Sequence, residues 1–405
     1  MLLRRAGRLA AVLILAAGTA CASAGPALAD NPPPGQVLSN FENYFGANIV
    51  RDCGYSQPLP ADPASSLWLF CDTDVYGFNS ADQWGLSDII SGSTAAEAPA
   101  SAVEVPTDLS EMTTPGSGLP AITNHDGPAQ FLPAPAGLVT SGGAPCDSAN
   151  DAYPASWITG VTQDAARPSD VLVSFNSYCV PTSSAGGSLT AEGSGLAEYD
   201  PATNTLASQA TVFTSSGGQP LGSQELLGSP VFSGPYLYLF GSQCPDDYDL
   251  TCVANSSNAV YLARVSANPA AWATAADYQW NAGSPGWTSS ASAAASVIPG
   301  ATPLAVNVND FSALGQGFVL IEQTSSTGAF TVYEASSPDG TWTEKTSGTV
   351  PCITEGDSFC RAIIGHPELS TSSDLLLSYF NPGAAPQDNP SAGPEGHVMA
   401  AAYPW

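Results

Sequence analysis

Short apolar runs set off by Gly, Pro, Ser, Asn and Asp recur along the chain, and no long segment shows the spacing of an amphipathic helix. The clearest runs are residues 66–71 (SLWLFC), 170–175 (DVLVSF), 236–240 (YLYLF), 259–265 (AVYLARV), 317–322 (GFVLIE), 330–335 (FTVYEA) and 374–379 (DLLLSY). Several are apolar at consecutive positions, as expected of strands covered on both faces. Many short strands separated by polar turns imply an all-β sandwich, barrel or propeller.

The order of the runs favours the propeller. LWLF stands near the start and LLLSY near the end. Between them VLVSF is followed by LAEYD, YLYLF by VYLARV, and FVLIE by TVYEA. Five such units give blades of four-strand size, and the predicted architecture is a single all-β domain, a five-bladed β-propeller over residues 30–405. The Ala-, Pro-, Ser- and Thr-rich stretch 91–120 reads as a long flexible loop.

Arg4, Arg5 and Arg8, the apolar run 9–17 and Ala27-Leu28-Ala29 before Asp30 have the order of a signal peptide spanning residues 1–29. A lipoprotein anchor at Cys21 would need an aliphatic residue where Gly18-Thr19-Ala20 stands. No later run is long enough to cross a bilayer as a helix. The expected location is therefore extracellular.

Removing the leader changes two counts. Nine cysteines become eight, and an even number in an exported chain points to disulfides. The neighbouring pairs are Cys53 with Cys71, Cys146 with Cys179, Cys244 with Cys252 and Cys352 with Cys360. Zinc is disfavoured, because there is no C-x-x-C and the chain has 3 histidines. The leader also holds three of the 8 basic residues and none of the 36 acidic ones, leaving Arg51, Arg167, Arg264, Lys345 and Arg361 as the cations. So acidic a surface repels phosphate backbones and anionic lipid, which argues against nucleic-acid and membrane partners and permits a neutral glycan. A monomer is expected. An arginine in a repeated structural position is expected to pair with a carboxylate.

Asp52-Cys53-Gly54-Tyr55-Ser56, followed by Leu67-Trp68-Leu69-Phe70-Cys71-Asp72-Thr73, resembles the opening of a bacterial family of secreted five-bladed propellers. Some of its members are linked to endo-D-arabinanase activity, and its pattern reads D-x-G-x-S, then an aromatic strand ending G-D-T. Ser229-Pro230-Val231, residues 236–241 and residues 260–265 are further matches. YEASSPDGTW at 333–342 is similar to an edge found in furanosidase-type propellers, and His366-Pro367-Glu368-Leu369 looks like the closing blade. The resemblance implies a glycoside hydrolase of furanose-containing polysaccharide such as arabinan, with a non-catalytic glycan- or protein-binding propeller as the alternative. Cys71 replaces the family glycine, and Cys53 follows Asp52. A bridge between them would pin the rim of the site, or else marks a remodelled one.

Glycoside hydrolysis needs one protonated and one ionised carboxyl group. Asp52 and Asp72 are the first candidates, although Asp72 reads equally well as a turn cap. Glu225 precedes a strand where related propellers place a general acid. The resemblance further suggests that His366, Glu368, Asp74 and Arg264 line the funnel. No cofactor is expected, apart from a central calcium ion that a funnel histidine could hold. Glu322 is expected to form an ion pair with an arginine between blades. Asp246, Asp247 and Asp249 read as a solvated acidic loop rather than a calcium site, and the Asn255 sequon as coincidence. Tyr76, Trp84, Trp157, Trp280 and Trp287 could stack on sugars or pack between blades. No G-x-S-x-G, phosphate-loop or H-E-x-x-H motif occurs.

Overall fold

The computed structural model describes residues 36–37, 48–78, 84–103, 109–112, 129–182, 189–215, 221–242, 259–283, 286–354, 359–383 and 396–405. Blade I comprises β2 (Asn48–Leu59), β3 (Asp62–Phe78), β5 (Thr94–Pro99) and β6 (Ser110–Glu111), with β4 (Trp84–Ile90) paired to the far end of β3. Blade II is β7 (Ala152–Gln163), β8 (Val171–Pro181), β9 (Thr190–Asp200) and β10 (Thr205–Thr214). Blade III is β11 (Gly228–Ser233), β12 (Tyr236–Ser242), β13 (Val260–Ser266), β14 (Gln279–Asn281) and β15 (Trp287–Thr288). Blade IV is β16 (Ala305–Asp310), β17 (Phe318–Gln323), β18 (Ala329–Ala335) and β19 (Thr343–Thr349). Blade V is β20 (Arg361–Gly365), β21 (Asp374–Asn381), β22 (His397–Pro404) and, from the other end of the chain, β1 (Gln36–Val37).

All pairings are antiparallel, and the first strands β2, β7, β11, β16 and β20 touch one another in cyclic order, with β20 returning to β2. That ring defines the axis of the propeller. β1 fastens the ring: Gln36 pairs with Ala400 and Val37 with Met399. Blades II and III approach so closely that a Cβ at Gly160 would lie 2.6 Å from Pro230 Cδ. Among the described residues the one α-helix is the four-residue Pro269–Trp272, and no helix is long and apolar enough to cross a membrane.

The second strand of each blade explains the apolar runs. Alternate side chains of a strand point to opposite faces, and here each face meets a different neighbouring blade. Leu67 and Leu69 join Val171 and Val173 of blade II, whereas Trp68 and Phe70 join Leu376 and Val398 of blade V. Leu237 and Leu239 pack with Leu172, and Tyr238 and Phe240 with Val308 and Leu320. Each fully buried side chain of this size contributes roughly 1.5–3 kcal/mol, so interblade packing is the main cohesive force.

The stretch 91–120 departs from the expected loop. Thr94–Pro99 is the third strand of blade I, with Ala96 opposite Trp68. Its buried alanines leave room for the large rings of β3, so small residues that read as low complexity are packing partners. Trp157 and Trp280 are buried between blades and offer no sugar platform, while Trp287 is partly exposed. Cys53–Cys71, Cys146–Cys179 and Cys352–Cys360 are disulfides, as the spacing suggested. Residues 1–29, Cys244, Cys252, Asp246, Asp247, Asp249, Asn255 and the side chains of Tyr76 and Trp84 lie outside the described residues.

Candidate functional site

The β2–β3 hairpin is interrupted where the candidate carboxylates stand. Arg51 pairs with Thr73 and Cys53 with Phe70, so the register skips Asp52 on one strand and Cys71 and Asp72 on the other. Cys53 has φ +67° and Gly54 φ +121°, the positive values of a bulge that re-aims side chains. Cys53–Cys71 staples this irregular segment, with Cα atoms 5.4 Å apart.

Asp52 accepts from its neighbour Cys53 N at 2.7 Å and from Arg361 Nε, at the start of β20, also at 2.7 Å. The Arg361 guanidinium lies 4.0 Å from the centre of the Phe380 ring, which fixes its plane. Asp72 accepts from Gly92 N at 2.5 Å and from the Tyr153 hydroxyl at 2.7 Å. Burial raises the Asp72 pKa against the pull of these donors, and the charge of Asp52 raises it further. Asp74, two residues along the same strand, is raised to about 6 by burial and by repulsion from Asp72 and Asp52. Three carboxyl groups therefore interact at one place, one of them ion-paired and two with raised proton affinity.

An axial pocket of about 80 Å³ is lined by Tyr55, Thr159, Asn176, Tyr178, Gly228 and Ala305 among others, and none of the three aspartates lines it. First strands of blades I to IV supply Tyr55, Thr159, Gly228 and Ala305, so the pocket lies on the axis. Its lining is uncharged. Trp157 lies against Tyr178 of the pocket wall, the ring centroids 4.6 Å apart and the planes tilted by 36°.

Other expected residues lie elsewhere. Glu225 ends the 3₁₀ turn Ser223–Glu225 before β11; its neighbour Leu226 lines the pocket, but Glu225 neither lines it nor perturbs Asp72 or Asp74. Arg264 does not line the funnel. It is on the third strand of its blade, held between Tyr236 at 4.2 Å and Trp287 at 3.9 Å and bonded to Gln279. His366 is fully enclosed at the seam of blades V and I, and the Glu368 carboxyl is 4% exposed, so neither faces an open funnel. Among the described residues Glu322 has no arginine partner; it accepts from Thr302 N and the Tyr333 hydroxyl. The other cations do pair: Arg51 with Glu111, Arg167 with Glu198 and Lys345 with Glu334.

The residues near His366 do not fit a calcium ion. Both ring nitrogens face serine hydroxyls, and among the described residues no three His, Cys, Asp or Glu side chains gather as ligands. Tyr153 and Arg361 were not singled out as site residues in the sequence, and Trp157 only as a possible sugar platform or packing residue. A cation beside Cys360 in so acidic a chain is the one signal that could have marked Arg361.

No protein-family model and no curated protein matches the sequence. Among solved structures, a candidate hydrolase from Bacteroides ovatus aligns over 91% of this chain and 93% of that one, with 16% identity and a TM-score of 0.55. The fold is that of the five-bladed β-propellers. Weaker matches are a GH43_1 enzyme from Xanthomonas citri complexed with xylotriose (11% identity, 91% and 89% covered, TM-score 0.42) and CoXyl43, a GH43 β-xylosidase/α-arabinofuranosidase from a compost metagenome (10% identity, 91% and 94% covered, TM-score 0.44). At such identities the likeness concerns fold, and function must be argued from the site.

Proposed function

We propose that this protein is an exported glycoside hydrolase that cleaves a furanose-containing polysaccharide such as arabinan. The observation that carries the reading is the break in hairpin register that brings Asp52 and Asp72 together in unlike surroundings. Arg361, bonded to Asp52 at 2.7 Å, holds it in place as the base or nucleophile. Burial of Asp72, with Asp74 beside it, stores the proton that a leaving sugar oxygen needs. The uncharged axial pocket would seat a neutral sugar ring against Tyr55 and Tyr178. The leader sequence and the disulfides support export.

The test is sugar release from arabinan, arabinogalactan and xylan by the wild type and by Asp52→Asn and Asp72→Asn. Each variant should lose about 10²–10⁴-fold in rate. Equal rates in wild type and variants would sink the assignment.

A non-catalytic glycan-binding propeller is the second reading, favoured by Gly228, which brings no side chain to the axis from blade III, and by the uncharged pocket. Binding of arabinan by affinity electrophoresis, without sugar release by the wild type, would establish it.

A further inference from the structure

Beneath the seam of blades V and I, four side chains form a continuous hydrogen-bond chain. The Ser378 hydroxyl donates to the Gly54 carbonyl at 3.1 Å and lies 2.8 Å from His366 Nε2. His366 Nδ1 is 2.6 Å from Ser56 Oγ, and the same hydroxyl contacts Glu368 Oε1. Trp68 closes the space, its ring centroid 4.9 Å from that of His366.

Each serine hydroxyl has one hydrogen to donate. Ser378 directs its hydrogen at Gly54 and must therefore accept from His366 Nε2, which places the proton of the neutral ring on that nitrogen. Nδ1 is then an acceptor, and the Ser56 hydrogen goes to it. The contact between Ser56 and Glu368 is a hydrogen bond only if the carboxyl group supplies the hydrogen. We infer that Glu368 is a neutral acid in the folded protein and that its proton controls the backbone carrying Asp52.

The last acceptor of the chain, the Gly54 carbonyl, lies two residues beyond Asp52 and inside the bulge stapled by Cys53–Cys71. Loss of the Glu368 proton moves each hydrogen one place along. Ser56 then donates to the carboxylate, His366 holds its proton on Nδ1, Ser378 donates to Nε2, and Gly54 loses its donor. The balance is one proton released to solvent.

Burial raises Glu368 to about 7 and lowers His366 to about 3, which keeps both groups neutral in mild acid. His366, with Nδ1 4.0 Å from Oε1, is the titratable group facing Glu368. Ser56 and Trp68 from blade I and Ser378 from β21 face this network as uncharged groups, and the charges of Asp52 and Arg361 do not perturb Glu368.

The inference rests on the hydrolase reading only for the site it regulates, and its test needs no substrate. The chain has 3 histidines, so two-bond ¹H–¹⁵N spectra of the histidine-labelled protein resolve the His366 ring, with Ser378→Ala identifying it. At pH 5 the expected tautomer is Nε2–H. In the wild type it should give way to Nδ1–H as pH passes about 7. In Glu368→Gln, whose amide can still donate to Ser56, it should persist to about pH 9, above the range in which a carboxyl titrates. An Nδ1–H tautomer or a charged ring at pH 5 overturns the inference, as does a wild-type ring indifferent to pH. The expected tautomers without sugar release would leave the switch standing and sink the hydrolase reading alone.

Discussion

The Tyr153 hydroxyl donates to Asp72 Oδ2 at 2.7 Å, carrying a hydrogen bond from blade II into the carboxyl cluster of blade I. Burial and the adjacent carboxylates raise the tyrosine pKa, so this group remains a donor whenever Asp72 is ionised. Tyr153→Phe leaves a buried acceptor short of a partner and should cost about 1–3 kcal/mol. Urea unfolding across a pH series checks this: the loss should grow as rising pH ionises Asp72 and the carboxylate needs the donor more. An equal loss would mean that Tyr153 does not stabilise the charge.

Asp74 should titrate near 6, and its neighbours are part of the cause. Asp72→Asn and Asp52→Asn each remove a negative charge and should lower the Asp74 midpoint, Asp72→Asn the more. Carboxyl ¹³C spectra of aspartate-labelled protein read the midpoint directly. An unchanged value in Asp72→Asn would show that the two groups are not coupled.

The buried carboxyl and imidazole groups set opposite pH limits on stability. Glu368, raised to about 7 in the fold, contributes fully below its unfolded pKa near 4.5, and that contribution is lost as pH rises through 7. His366, lowered to about 3, and His397, lowered to about 4, contribute fully above their unfolded pKa near 6.5 and lose it as pH falls through those values. The two histidines together gain more between pH 4.5 and 7 than Glu368 loses, so from these groups stability should fall in acid and level off near neutral pH. Glu368→Gln should recover roughly 2–4 kcal/mol of the alkaline loss. Denaturant unfolding of the wild type and Glu368→Gln at pH 3, 5.5 and 8 tests this: the variant should gain on the wild type between pH 5.5 and 8, and a difference that does not change with pH would contradict it.

Gly54 combines φ +121° with a Cβ position 2.9 Å from Val398 Cγ1 of β22. Gly54→Ala should cost about 2–3 kcal/mol, strain and clash together. Gly137→Ala is a control, because Gly137 has φ +86° and no atom within 4 Å of its Cβ position. It should cost about 1 kcal/mol. Equal losses in thermal unfolding would remove the seam contact as a cause.

The fold was legible where burial on both faces writes itself into consecutive residues. LWLF, VLVSF, YLYLF, FVLIE and LLLSY all proved to be the second strand of a blade, sandwiched between neighbours. The first strands of blades III to V were not legible, because GSPVFS, AVNVND and RAIIG are short and meet the axis with small or polar side chains. In β5 the alanines lie opposite Trp68 and its neighbours, and a small residue chosen for its partner's size resembles loop composition. Asp52 and Asp72 stood out beside paired cysteines. Their partners Tyr153 and Arg361 come from other blades, and no local pattern announces a contact made through space. His366 and Glu368 were noticed, but a buried network and an open funnel place the same residue types in a sequence.

The pairing of β1 with β22 sets an order of assembly. Gln36 can find Ala400 only after everything between them has been synthesised, so closure is the most non-local event in folding and a slow one. Until then β22 offers an unpaired edge to any extended segment nearby. A proteolytic cut just after Val37 would re-open that edge in the finished molecule, and self-association through strand addition is the damage to expect.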